Sequence, residues 1–263
     1  MTLIAILLGT MAAGIGSVWL AALLSFGVLD LYTKHMLSLA AGALLATAFM
    51  HLLPEAFESQ AGAQELFATL LVGLVFFFLL DKAELWHHGH EHHHEHQDET
   101  LSSHEHRHHL HSHAPKLGSW AVLTGDSVHA FGDGILIASA FVADMRLGLV
   151  AALAVLVHEV PHHMGDLVVL RQSSSNRRIA LIKVSLAGAV TALGGVVGYA
   201  LVDQLYDYLP FFLVLASSSF MYVALADLIP QLQQRVTATE TAAQIAWLMI
   251  GIGLVTLISG IEL

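Results

Sequence analysis

Cysteine is absent from the sequence, which excludes a disulfide framework, a thiolate metal site and redox chemistry on sulfur. Charge is nearly as scarce. Only 12% of the 263 residues are charged, against about 25% in an average soluble domain. With 56% of residues hydrophobic and a positive mean hydropathy, that deficit makes lipid the solvent for much of the chain. The beginning lacks a basic n-region and a small-residue cleavage site, so residues 3–27 are expected to be a first membrane span, not a removed signal. No GxxxxGK[ST] loop occurs, which argues against ATP hydrolysis. Nucleic acid is not an expected partner.

What is present is a series of long apolar runs. A helix needs about 20 apolar residues to cross the hydrocarbon core, and eight segments qualify: 3–27, 36–57, 66–86, 119–141, 147–170, 180–203, 210–230 and 243–262. Their lack of period-two alternation excludes a barrel. The expected fold class is therefore an all-α integral membrane protein with eight transmembrane helices. Lys and Arg set the orientation. With the N-terminus outside, the inner side holds Lys34, Lys82, Arg107, Lys116, Arg171, Arg177, Arg178, Lys183 and Arg235, and the outer side only Arg146. Both termini are thus expected outside.

The chain divides into helices 1–3 (1–86), a long inner loop (87–118), helices 4–5 (119–170) and helices 6–8 (171–263). The loop runs through thirteen histidines from His87 to His113, with Glu91, Glu95, Asp98, Glu99 and Glu105 among them. It has no apolar face to bury and is expected to be disordered without metal. Its internal position and irregular spacing favour weak multivalent metal capture over a cloning remnant. With 19 histidines in all, the formal charge of −11, which counts them neutral, depends on pH and bound metal.

One echo links the two ends. His51-Leu52-Leu53-Pro54-Glu55 in the second span is matched by Asp227-Leu228-Ile229-Pro230-Gln231 in the seventh, and the two spans run in opposite directions. That is the pattern of an inverted-topology repeat.

Ionisable side chains cost at least about 2.5–3.5 kcal/mol each near the bilayer centre, yet spans four and five carry several. On a helix, residues three and four apart share a face. Asp126, His129 and Asp133 form one stripe. His158, His162 and Asp166 form another, with Glu159 and His163 on an adjoining face. If the stripes meet, His129, Asp133, His158 and His162 can surround one ion; the alternative is mutual pairing in a rigid bundle. Imidazole and carboxylate suit zinc and also accept iron, manganese, cadmium, cobalt or nickel. Pro161 is expected to kink its helix. Gly188, Gly194, Gly195 and Gly198 allow close helix approach in span six.

With these motifs the sequence resembles the ZIP family of divalent metal transporters. His158-Glu159-Val160-Pro161-His162-His163-Met164-Gly165-Asp166 is similar to the HEXPHEXGD signature of one subfamily. His129-x-x-x-Asp133-Gly134, HLLPEA (51–56) and DLIP (227–230) extend the match. The resemblance implies a 3+2+3 helix arrangement, import towards the cytoplasm and an elevator-like movement of the metal-bearing helices. It also implies a metal site of His129, Asp133, His158 and His162, with Glu159 at an adjoining second site. Two positions depart from the family pattern: Ala130 stands where members have Asn, and His163 where they have Glu. One dominant ion is therefore expected. His51, Glu55 and Asp227 are candidates for the entrance or exit route.

The rival reading is an intramembrane zinc protease, because HEVPH also satisfies H-E-x-x-H. Pro161 inside that motif and His129 as an extra ligand count against it. A metal sensor or receptor is a third class. The expected partners are the metal ion and the bilayer, with a homodimer open. The expected location is a cell membrane, the inner membrane of a bacterium.

Overall fold

The computed structural model describes residues 1–24, 29–89, 118–173, 177–233 and 237–259. Among these residues there is no strand. Helix α1 joins Thr2–Met11 to Ser17–Leu24 through a π-helical turn at Ala12–Gly16. Helix α2 joins Leu29–Thr47 to Leu53–Phe57 through a π turn at Ala48–Leu52. Then come α3 (Ala63–Gly89), α4 (Gly118–Ala143), α5 (Met145–Ser173) and α6 (Arg177–Gln204). A single 3₁₀ turn, Tyr206–Tyr208, leads into α7, which joins Leu209–Tyr222 to Ile229–Leu232 through a π turn at Val223–Leu228. Helix α8 is Ala238–Ser259.

Every helix except α4 contains a described segment long and apolar enough to cross a membrane, so the chain is an all-α integral membrane protein. Helix α4 coincides with the fourth expected segment. Its 26 residues span about 39 Å at 1.5 Å per residue, longer than the roughly 30 Å hydrocarbon core. Most of the His-rich tract, residues 90–117, lies outside the described residues, as does the side chain of Asp166.

Local chemistry explains the joints. Asp144 is the single residue between α4 and α5, and its Oδ1 accepts from the backbone N–H groups of Arg146 at 2.8 Å and Leu147 at 3.2 Å. This is an N-cap, and it makes the hairpin that places α4 beside α5. At the start of α8, Thr237 and Glu240 cap each other. The Thr237 N–H donates to Glu240 Oε2 at 2.8 Å, and the Glu240 N–H to Thr237 Oγ1 at 3.3 Å, forming a capping box.

The two π turns of α2 and α7 convert the sequence echo into geometry. In each, the residue just before the proline donates its N–H five residues back: Leu53 to the Ala48 carbonyl, and Ile229 to the Ala224 carbonyl. A proline ring crowds the carbonyl four residues earlier and offers it no N–H. Widening the turn relieves that crowding. His51 and Asp227 sit inside these wide turns. Pro161, by contrast, is carried in α5 without a break in the helix.

Two packed groups emerge. In one, α4 lies along α6, and α1 contacts α4, α5 and α6. Helix α6 is held between α1 and α4 by its glycines: a Cβ on Gly188 would run into Gly14 of α1, and one on Gly194 into Phe131 of α4. Such backbone-to-backbone approach stands in for the hydrophobic drive that lipid does not supply. In the other group α2 lies along α8 and α7 along α3. The groups meet where α2 crosses α5 and where α4 crosses α7. The main buried cluster, with Leu44, Leu52, Ile137, Val155, Phe220 and Leu228 at its centre, fills that junction.

Candidate metal centre

Helices α4 and α5 bring four side chains together. Ligand atoms of His129, Asp133, His158 and Glu159 all lie within 4.8 Å of one another. His158 Nε2 is 3.4 Å from Asp133 Oδ2 and 3.1 Å from Glu159 Oε1. His129 Nε2 is 3.7 Å from Asp133 Oδ2 and 3.5 Å from Glu159 Oε1. Asp133, His158 and Glu159 are buried, while the His129 side chain keeps 30% exposure. His129 is thus the least enclosed of the four.

His129 and Asp133 share a face by their spacing of four. His158 and Glu159 are about 100° apart around α5, so the pair straddles the line where α4 touches α5, and both reach inwards. All four converging atoms, His129 Nε2, Asp133 Oδ2, His158 Nε2 and Glu159 Oε1, are buried without a hydrogen-bond partner. Polar atoms enclosed without partners cost free energy unless something else satisfies them. The tautomer of His158 says what is missing. Its Nδ1 lies 3.2 Å from the Ala154 carbonyl, which can only accept, so Nδ1 carries a proton. Nε2 then presents a lone pair to two carboxylate oxygens, or else carries a second proton itself. Lone pair and carboxylates together form a nitrogen and oxygen seat for a cation, with the ligating histidine oriented from behind as in metal sites generally.

The other candidates fall at graded distances. The His162 ring lies 5.8 Å from that of His129 and 6.4 Å from that of His158 by centroid. Its Nε2, however, meets Asp227 Oδ2 of α7 at 3.0 Å, so Glu159 takes the place expected for His162 among the converging atoms. Asp227 Oδ1 accepts from Gln231 Nε2 at 2.9 Å. His163 turns the other way and forms a second group with Asp126 and Glu159. His51 Nε2 is buried without a partner in the π turn of α2, and Glu55, one turn on, is exposed. Neither joins a cluster among the described residues.

The sequence pattern did not single out Ser17 of α1. Its Oγ stands 3.0 Å from His163 Nδ1. A serine in an apolar helix carries no signal of its own, and only the packing of α1 on α5 gives it a role.

Membrane helices around a buried cluster of imidazoles and carboxylates are the arrangement that a carrier of cations needs. The family model described as ZIP zinc transporter matches residues 1–259, and the chain belongs to that family. It is 27% identical over 246 residues to zinc transporter ZIP13 of Pongo abelii, covering 87% of this chain and 67% of that protein. It is 36% identical over 115 residues to zinc transporter ZIP4 of Homo sapiens, covering 44% of this chain and 18% of that protein. It is 32% identical over 114 residues to zinc transporter ZIP10 of Danio rerio, covering 43% of this chain and 14% of that protein. The chain thus spans less than a fifth of the last two relatives. The family is one of transporters, not enzymes, and the protease alternative finds no support.

Proposed function

We propose that this chain carries divalent metal ions, zinc first, across a cell membrane and into the cytoplasm. The ion is cargo, seated between α4 and α5 by His129, Asp133, His158 and Glu159. The observation that carries the reading is that four atoms converge there, each buried and without a hydrogen bond. Iron, manganese, cadmium, cobalt and nickel suit the same donors, and selectivity among them is set by size and geometry.

His162 and Asp227 stand at the partly exposed edge of the seat, each with 39% of its side chain accessible. They serve as the next stop for an ion entering or leaving, with His51 and Glu55 farther along the route and Asp126 and His163 on the α4–α5 side; Asp166, four residues after His162 in the sequence, is a further candidate. The membrane arrangement is eight spans with both termini outside, in a 3+2+3 inverted repeat. Exchange of helices 1, 2, 3 and 4 for 6, 7, 8 and 5 converts the α2–α8 packing into α7–α3 packing, and α4–α6 into α5–α1; each of these pairs is present. Movement of α1, α4, α5 and α6 as one body against the other four carries the seat from one face to the other. Only 11% of the membrane window of α3 and of α8 is buried within one chain, which leaves room for a homodimer.

Zinc uptake into proteoliposomes holding the purified full chain tests the reading. Uptake by the wild type, lost in His158→Ala and in Asp133→Ala, supports it. Wild-type uptake that both variants retain overturns the seat. Peptide cleavage dependent on Glu159 without ion flux would restore the protease.

A further inference from the structure

Close glycine approaches bind helices within each packed group. Gly14 meets Gly188 and Gly194 meets Phe131 among α1, α4 and α6. In the other group, a Cβ on Gly42 would run into the Leu248 carbonyl of α8, and one on Gly251 into the Leu39 carbonyl of α2. None of the other close glycine approaches crosses between the groups. The seam where α1 and α5 face α2 is therefore made of side chains, and one stretch of it is not filled. Leu20 and Leu24 of α1, Met36 and Leu39 of α2, and Val157 and Val160 of α5 line a cavity of about 200 Å³.

A water needs two to four polar partners to stay in such a space, and the lining is apolar throughout. An apolar cavity of about 150 Å³ stays dry and takes up small hydrocarbons such as benzene; this one is larger. Its mouth faces lipid. Leu20 and Leu24 are 41% and 46% exposed, while Val160 at the far wall is 3% exposed. All three lie in segments long and apolar enough to cross the membrane, so the mouth meets hydrocarbon. A lipid tail gains no hydrophobic free energy by leaving other tails. An empty cavity, however, leaves its lining without dispersion partners, and a tail that enters supplies them.

We propose that this cavity holds the end of a lipid acyl chain, and that the chain restrains the movement that carries the metal seat. The restraint rests on the proposed displacement of α1, α4, α5 and α6 against the other four helices. Walls from α1 and α5 belong to the moving group and the wall from α2 to the stationary one, so sliding changes the cavity's shape. A ligand shifts a conformational equilibrium by the difference in its affinity for the two states, and a cavity that changes shape supplies that difference. Val157 and Val160 share a face of α5 by their spacing of three. His158 and Glu159, between them in sequence, turn to the seat. The tail thus lies behind the helix that carries the ligands. Straight tails hold the described conformation and slow zinc movement; methyl-branched tails, too thick to enter, do not.

The test places the full chain in vesicles of phosphatidylcholine that carries a photoreactive diazirine near the tail end. Illumination converts it to a carbene that inserts into the nearest side chain, and peptide mapping locates the adduct. Adducts are expected on Val157 or Val160, and on Leu71 of α3, which marks ordinary lipid contact. Leu39→Phe fills the cavity from α2. It should lose the Val157 and Val160 adducts and keep that on Leu71, which shows an inserted chain. Met36→Phe fills the same space and serves if Leu39→Phe does not insert. Wild-type zinc uptake should be faster in phytanoyl than in palmitoyl vesicles, and the filled variants should lose that difference. Adducts confined to Leu71 and other lipid-facing side chains, the result if a protein segment fills the cavity, overturn the site. Adducts at Val157 or Val160 with the same tail dependence in wild type and filled variants overturn the restraint and leave the site standing. Wild-type chain that takes up no zinc in either bilayer overturns the transport reading and with it the restraint, while the adducts, read without metal, still decide the site.

Discussion

Helices α3 and α5 are both long enough to cross a bilayer, yet they solve opposite problems. The membrane window of α3 is the most apolar in the chain and only 11% buried; that of α5 is the least apolar of the seven and 72% buried. Leu71, Phe76 and Leu79 of α3 are more than half exposed, whereas His158, Glu159 and His163 of α5 are almost fully enclosed. In water an apolar helix would be the innermost. In lipid it gains nothing by hiding, and the polar helix must be surrounded because hydrocarbon does not solvate imidazole or carboxylate. Between these two helices, burial follows the polar side chains and not the apolar ones.

The sharpest break of that comparison is to remove a ligand from α5. His158→Ala should reduce zinc uptake in proteoliposomes beyond the roughly 10–100-fold typical of losing an orienting partner, while Leu71→Ala on α3 should leave it unchanged. Acidification is the next largest effect. Metal binding needs neutral imidazoles and releases protons, so the sign is fixed: apparent zinc affinity falls as pH falls. The decline is read from uptake at graded zinc concentrations over a series of pH values. Glu159→Gln inverts the usual outcome of a core substitution. Without metal it removes an anionic group from the site, so the variant should melt no lower than the wild type in detergent, yet lose the stabilisation that zinc gives. Leu71→Lys on α3 should do the reverse, costing about 2–3 kcal/mol of insertion and lowering the yield of folded protein. The smallest effect is expected from Asp227→Asn. It weakens one hydrogen-bonded pair, worth about 0.5–1.5 kcal/mol, so uptake should fall a fewfold without loss of binding at the α4–α5 seat.

Much of this contrast is legible in the sequence, because runs of apolar residues and their polar interruptions are local features. The segment expected at 119–141 corresponds to Gly118–Ala143, and that at 147–170 to Met145–Ser173. Helices extend beyond the apolar windows, as where 66–86 becomes Ala63–Gly89, because a helix does not end where the hydrocarbon does. Spacing of four places His129 with Asp133, as the sequence expects. Which of Glu159 and His162 lies nearer to them is not legible, because that depends on where the α4 contact line falls on α5, and on Asp227 of a distant helix meeting His162 at 3.0 Å. The proline echo was visible, but not that each proline would be preceded by a wide turn. Ser17 was beyond reach, since nothing in SVWLAALL marks one hydroxyl as the partner of a histidine 146 positions later.

The absence of native cysteine makes one measurement unusually direct. His158→Cys and Asp133→Cys should each give a cadmium–thiolate charge-transfer band in the ultraviolet, and Leu156→Cys, outside the cluster, should give none. Histidines of the 87–113 tract cannot produce that band. The double variant should show about twice the single-variant intensity with one cadmium ion per chain. No band from either single variant, or a second cadmium ion needed to develop the double variant's signal, would contradict a cation held jointly by α4 and α5.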